Sequence, residues 1–168
     1  HGLSFKSFCS IGHVGETYED VMETKRWLLE ARPDDFDVTV ISIFPGTPIY
    51  AEREFVEVDA LDQRVMKYVH RSRRPDENGA TLFFTEVDYS REFCWYKGRP
   101  KEYISHVWTP DLSKEDLVRL RDTIEEDVRK ELGIPYPKRF SGDHLVGAEN
   151  FDHSYGMGLS PQDSRVIL

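Results

Sequence analysis

FCSIGHVGETYED, Phe8–Asp20, and VTVISIFPGTPIY, Val38–Tyr50, are the two stretches whose reading decides the fold. The first continues an apolar run from Phe5 through Phe8 and Cys9 to Ile11, which reads as a buried strand ending at Gly12. Gly12-His13-Val14-Gly15 is a tight turn. Thr17, with Asp20 three residues later, supplies a capping box and starts a helix. Val21, Met22, Leu28 and Leu29 give that helix an apolar stripe. Arg32-Pro33 ends it, because a residue before proline is pushed out of the helical region. In the second stretch, Asp37 to Phe44 is β-branched at nearly every other residue and apolar on both faces, as a parallel strand between layers would be. Residues 4–44 therefore spell strand–helix–strand, the unit of parallel α/β sheets and barrels. Pro45-Gly46-Thr47-Pro48 then forces a rigid turn at the carboxyl end of the second strand.

Such an arrangement makes a ligand rim. A glycine turn between strand and helix lets backbone amides approach a ligand closely, and the helix start favours negative groups. The second strand ends beside that turn. In α/β barrels, active sites gather at this carboxyl edge.

Further along, residues 55–74 are expected to form a helix, with Val58, Leu61, Val65, Met66 and Val69 on its apolar side and Asp76-Glu77-Asn78-Gly79 as its breaker. Three antiparallel strands are expected next, over Thr81–Asp88, Glu92–Lys97 and Glu102–Trp108, with turns at Tyr89-Ser90 and Gly98-Arg99-Pro100. Ser113 and Asp116 form a second capping box, Leu112 can staple to Leu117, and Leu117, Leu120, Ile124 and Val128 line a helix from Lys114 to Leu132. Gly133 and Pro135 stop it. Residues 138–168 lose periodicity and predict an irregular tail. The fold class is thus α/β, or α+β overall: a partial barrel fragment over 1–75, an antiparallel meander with a long helix over 76–137, and the tail.

The 168 residues suffice for one ordinary domain plus a tail, and 39% hydrophobic content with ten Phe, eight Tyr and three Trp supports a core. Thirty-one acids against 22 bases leave a net charge of −9, which argues against nucleic acid or an anionic membrane as main partner. Arg64 to Arg74, with Lys67, His70, Arg71 and Arg73 between, is a local exception and reads as a solvated helix face. Cys9 and Cys94 are too few for a disulfide framework and read as buried thiols of a reduced compartment. No stretch approaches the roughly 18 apolar residues of a membrane span, and no signal peptide is visible. A cytoplasmic location is expected. An opening at His1, with strand-like sequence from Ser4, suggests a fragment.

Ile-Gly-x-x-Gly-Glu-Thr-x-Glu-Asp, then a helix, then a strand followed by Pro-Gly-Thr-Pro-x-Tyr, resembles strands five and six of radical S-adenosylmethionine (SAM) enzyme barrels. The resemblance is greatest to the group that often carries a cobalamin-binding domain. It covers residues 4–52 well and 107–133 loosely, where Thr109-Pro110-Asp111-Leu112-Ser113 leads into Glu115-Asp116-Leu117. It implies that Ile11, Gly12, Gly15 and Glu16, together with Ile41, Ser42, Phe44 and Pro45, help to cradle SAM. It also implies an intact parent with a 4Fe–4S cluster, radical chemistry from a 5′-deoxyadenosyl group, and cobalamin as a further candidate cofactor. Two departures stand out. His13-Val14 replaces the usual Leu-Pro, leaving a less rigid turn. The Cys-x3-Cys-x2-Cys motif that holds the cluster is absent, and Cys9 and Cys94, 85 positions apart, do not replace it. The chain alone is expected not to cleave SAM. Its implied partner is the N-terminal half of the parent barrel.

Other constellations are weaker. His13, His70, His106, His144 and His153 show no metal-ligand spacing; Asp143-His144 and Asp152-His153 read as loop residues. No nucleophile-elbow pattern appears. Phe93-Cys94-Trp95-Tyr96 reads as sheet packing, with a substrate-stacking face as its alternative. Two other functions compete: a non-catalytic interaction module that self-associates through exposed strand edges, and an RNA-binding basic helix over Arg64–Arg74.

Overall fold

A computed structural model of the chain describes residues 2–58, 65–87, 101 and 103–136. His1–Tyr136 forms one compact unit. It opens with β1 (Lys6–Ile11), α1 (Tyr18–Ala31) and β2 (Asp35–Val40), and β1 and β2 pair in parallel from Lys6–Asp35 to Ile11–Val40. The expected strand–helix–strand is present. β2 starts two residues earlier than expected and ends four earlier, although the Ile41 amide still donates to the Ile11 carbonyl at 2.9 Å. Thr17 and Asp20 form the expected capping box, and Arg32 closes α1 in the left-handed conformation.

A short helix, α2 (Pro48–Ala51), leads into β3 (Glu54–Val58) and β4 (Met66–Arg71). After a 3-10 turn at Pro75–Glu77 come β5 (Thr81–Thr85), β6 (Val107–Trp108) and α3 (Lys114–Leu132). β3, β4, β5 and β6 form one antiparallel sheet in that order. The helix expected over 55–74 is therefore corrected to an antiparallel pair of strands. Its apolar spacing fits both periods. What decides is the density of β-branched and aromatic residues, which suits a pleated surface: Phe55 meets Tyr68 edge-on across the ladder, with ring centroids 6.3 Å apart. The basic run thereby loses its helical face. Lys67 pairs with Glu57 at 3.0 Å, Arg74 with Glu77 at 3.1 Å, and His70 is buried. A basic-helix RNA-binding surface has no helix to stand on.

The strand expected from Thr81 is present as β5, and of the described part of Glu102–Trp108, residues 103–108, only Val107–Trp108 is strand. Glu92–Lys97, the Phe93–Tyr96 aromatic run, Cys94 and the 138–168 tail lie outside the described residues. The division expected at 75/76 falls between β4 and β5, which pair from Lys67–Thr85 to Arg71–Thr81. Neither sheet closes into a barrel among the described residues.

One apolar core joins these parts. Ile11, Phe36, Val38 and Val40 from the parallel pair meet Val21 and Leu28 of α1 and Leu117, Leu120, Ile124 and Val128 of α3, and the same cluster takes in Leu82, Phe84 and Val107 of the second sheet. The bounds of α3 and its Ser113–Asp116 capping box match the sequence reading, with Gly133 left-handed beyond it. Beside its apolar stripe α3 carries a buried polar one, Arg121, Glu125 and Arg129, spaced one turn apart. This stripe serves the outer edge of β2. The Val38 amide donates to Glu125 at 2.8 Å, Arg121 Nε donates to the Val38 carbonyl at 3.0 Å, and Arg129 donates to the Phe36 carbonyl. The Tyr103 hydroxyl completes the row, accepting from the Val40 amide at 2.9 Å and donating to the Val40 carbonyl at 3.1 Å. Side chains thus stand where a neighbouring strand would. Glu125 and Arg129 also bond each other at 2.7 Å, so the buried charges are paired.

Candidate functional site

The rim begins where β1 and β2 end side by side. Gly12 and Gly15 have positive φ of +86° and +73°, a conformation that favours glycine. A side chain at Gly12 would also meet Val40 at 3.0 Å and Val107 at 3.1 Å, so the turn is seated tightly between both sheets. One at Gly15 would stand 2.8 Å from Ala80.

Glu16 alters the expectation for this turn. Its carboxylate accepts from the Gly12 amide and, at 3.1 Å, from the His13 amide. Burial raises its pKa, and those two amides oppose the rise. The donors that would have faced an anionic ligand are already filled by the chain's own carboxylate. Glu16 is also tied to the segment just after β6, its carbonyl accepting from Thr109 Oγ1 at 3.4 Å.

Of the other expected residues, Ile11 is fully buried among the core side chains, so only its main chain reaches the rim. Ile41 lies directly beside it through the 2.9 Å hydrogen bond. Ser42 and Phe44 are half-buried and Pro45 is exposed. Thr47 fixes the following turn: its hydroxyl donates to the Phe44 carbonyl at 2.8 Å, and it caps α2.

The ladder alternates cleanly at β1. Ser7, Cys9 and Ile11 turn toward the core, while Phe8 is 71% exposed and Ser10 is exposed. On that open face the Ser10 hydroxyl lies 2.8 Å from His13 Nε2. Ser10 and His13 thus offer two polar groups at the end of β1, Ile41 lies beside Ile11, Phe44 follows in the loop after β2, and the Phe8 ring stands further back on β1, 5.4 Å from the Lys6 ammonium. Rings of this kind can stack on a planar ligand, and the hydroxyl and imidazole can hydrogen-bond it. The Ser10–His13 contact is absent from the sequence reading because it depends on the turn bringing position 13 back over the last outward residue of β1.

A second polar group escaped sequence reasoning for a different reason. Treating 55–74 as helix hid that Arg53 of the chain entering β3 meets Tyr68 of β4: its guanidinium lies 3.7 Å from the Tyr50 ring centroid and 4.8 Å from that of Tyr68. A strand reading would have aligned Arg53 with His70, since Glu54 pairs with Val69.

A 4Fe–4S cluster does not fit this chain. The sequence holds two cysteines, and no group of three or more metal-ligating side chains occurs among the described residues. Also among those residues, no helix is long and apolar enough to cross a membrane. Neither a protein-family model, nor a curated protein, nor a solved structure matches the chain.

Proposed function

We propose that this chain is the C-terminal part of a radical SAM enzyme barrel, contributing the last two strands and the nucleoside side of the SAM cradle. The observation that carries the reading is the parallel adjacency of β1 and β2, whose carboxyl ends bring the Gly12–Gly15 turn beside Ile41. The blocked outer edge of β2 supports it, because a terminal strand needs its far side satisfied without another strand. Ile41, Phe44, Phe8 and the Ser10–His13 pair hold the base and ribose. Gly12, Gly15 and Glu16 fix the turn rather than bind the anionic end of the ligand. SAM, when bound to a reduced cluster, supplies the carbon radical for hydrogen abstraction. The thiolates for that cluster belong to another part of the parent, and this chain's residues orient the nucleoside and exclude water from it. Cobalamin remains part of the proposal only through the resemblance.

The test is a reading of the parent gene followed by an assay. The region encoding the upstream polypeptide should carry Cys-x3-Cys-x2-Cys, and the intact protein, reconstituted with iron and sulfide and reduced, should release 5′-deoxyadenosine from SAM. An intact parent without the motif, or with the motif and cluster but no 5′-deoxyadenosine, overturns the proposal.

A second reading, a non-catalytic module that pairs with another chain, is favoured by one observation. β1 is an edge strand among the described residues, and Phe8 stands exposed upon it.

A further inference from the structure

Tyr50, Arg53, Tyr68 and Glu86 gather at the second sheet, independently of the β1–β2 rim, and His70 follows two residues after Tyr68 on the same face of β4. The Arg53 guanidinium lies over both tyrosine rings. Its Nη1 donates to the Tyr50 carbonyl at 2.7 Å, and its Nη2 lies 3.8 Å from Glu86 Oε1. That same Glu86 oxygen accepts from the Tyr50 hydroxyl at 2.6 Å. The plane is therefore held on three sides, yet Arg53 Nε is buried with no hydrogen-bond partner. His70 repeats the pattern. It is 8% exposed, and its Nδ1 is likewise buried and unpartnered.

The two belong together. The β3–β4 ladder begins at Glu54–Val69, and continuing it by one residue on each strand leads from Arg53, just before β3, to His70. Tyr68 and His70, two residues apart, share the face over which the guanidinium lies. A buried polar group without a partner costs about 1–3 kcal/mol, and two such groups at neighbouring positions call for an occupant. An Arg Nε–H and an imidazole N–H are donors suited to an oxygen anion. The Glu86 carboxylate is already tied to Tyr50 and faces Nη2, which limits the charge the site can accept.

We infer that Arg53 and His70 form a binding site for a single oxyanion group, a carboxylate or a phosphate, with His70 donating from Nδ1. The site lies just past the Pro-Gly-Thr-Pro turn, joined to it by α2. It does not depend on the radical SAM reading, and it is tested without SAM.

The experiment follows the His70 ring resonances and the Arg53 Nε–H resonance of the full chain by NMR. Sodium phosphate and sodium acetate are titrated separately at constant ionic strength. At least one should move both resonances to saturation, and which one does so distinguishes phosphate from carboxylate. Arg53→Lys keeps the charge but removes the Nε–H and the planar stack; it should raise the half-saturating concentration about tenfold or more. His70→Phe should abolish the saturable movement at Arg53, which keeps the test open should the lysine variant unfold. Absence of saturable movement with either anion, or movement unchanged in Arg53→Lys or in His70→Phe, overturns the inference.

Discussion

His106 carries the clearest electrostatic consequence of burial at a single residue. Its Nδ1 lies 3.2 Å from Thr85 Oγ1 and its Nε2 is buried without a partner. Burial, and then the Lys114 ammonium, push its pKa down to about 4 from an ordinary 6.5. The folded state thus holds His106 neutral where the unfolded chain protonates it. Between those two values the unfolded state binds more protons, so His106 takes stability away as pH falls from 6.5 toward 4. Solvent screening limits the loss to about 1–2 kcal/mol. Urea unfolding at pH 7 and pH 4.5 should show a smaller acid loss in His106→Gln than in the original chain. Equal losses in the two proteins would refute this assignment. Glu16 makes the complementary point: a residue that resemblance places near a ligand spends its carboxylate on the Gly12 and His13 amides instead.

Among the elements, the row of side chains along β2 deserves a direct challenge. Tyr103→Phe removes the only hydroxyl that serves both Val40 backbone groups, at a cost of about 1–3 kcal/mol. Glu125→Ala strips the Val38 amide and removes the 2.7 Å partner of Arg129, which keeps Asp35 at 3.0 Å, and should cost more, about 2–4 kcal/mol. Denaturant midpoints check both; a glutamate variant no worse than the tyrosine variant would show that the ion pair contributes nothing there. The sequence announced α3 to the residue, since caps and a 3.6-residue apolar stripe are local signals. It did not announce why Arg121, Glu125 and Arg129 sit on the buried side, because their partners are β2 carbonyls and an amide more than 80 positions away. The 55–74 stretch failed for the opposite reason. Its apolar spacing satisfied a helix locally, while its β-branched and aromatic residues suit the strands that pair with each other and with β5. At the site, Gly12 and Gly15 were legible from turn chemistry, whereas the Ser10–His13 and Arg53–Tyr68 contacts arise from folding back and from cross-strand register.

At the level of the whole molecule, the two edges of the parallel pair are treated oppositely. β2 has its outer backbone groups bonded by Arg121, Glu125, Arg129 and Tyr103; β1 pairs only with β2 among the described residues. Two parallel strands make a small sheet by themselves, and only one side of this one is left for growth. Both the barrel proposal and the module reading draw on that asymmetry, and they differ in what pairs there. Residues 5, 7, 9 and 11 direct their backbone toward β2, as the bonds from Asp35 to Phe5 and from Ile41 to Ile11 show. Lys6, Phe8 and Ser10 therefore direct theirs outward. Amide hydrogen exchange at Phe8 and Ser10 is the most direct measurement, made on this chain alone at high dilution and again within the intact parent. The account predicts rapid exchange in the isolated chain and protection of at least a hundredfold, about 2.7 kcal/mol, in the parent. Equal exchange in both would contradict it, because the open edge of β1 would then not be the place where the rest of a barrel attaches.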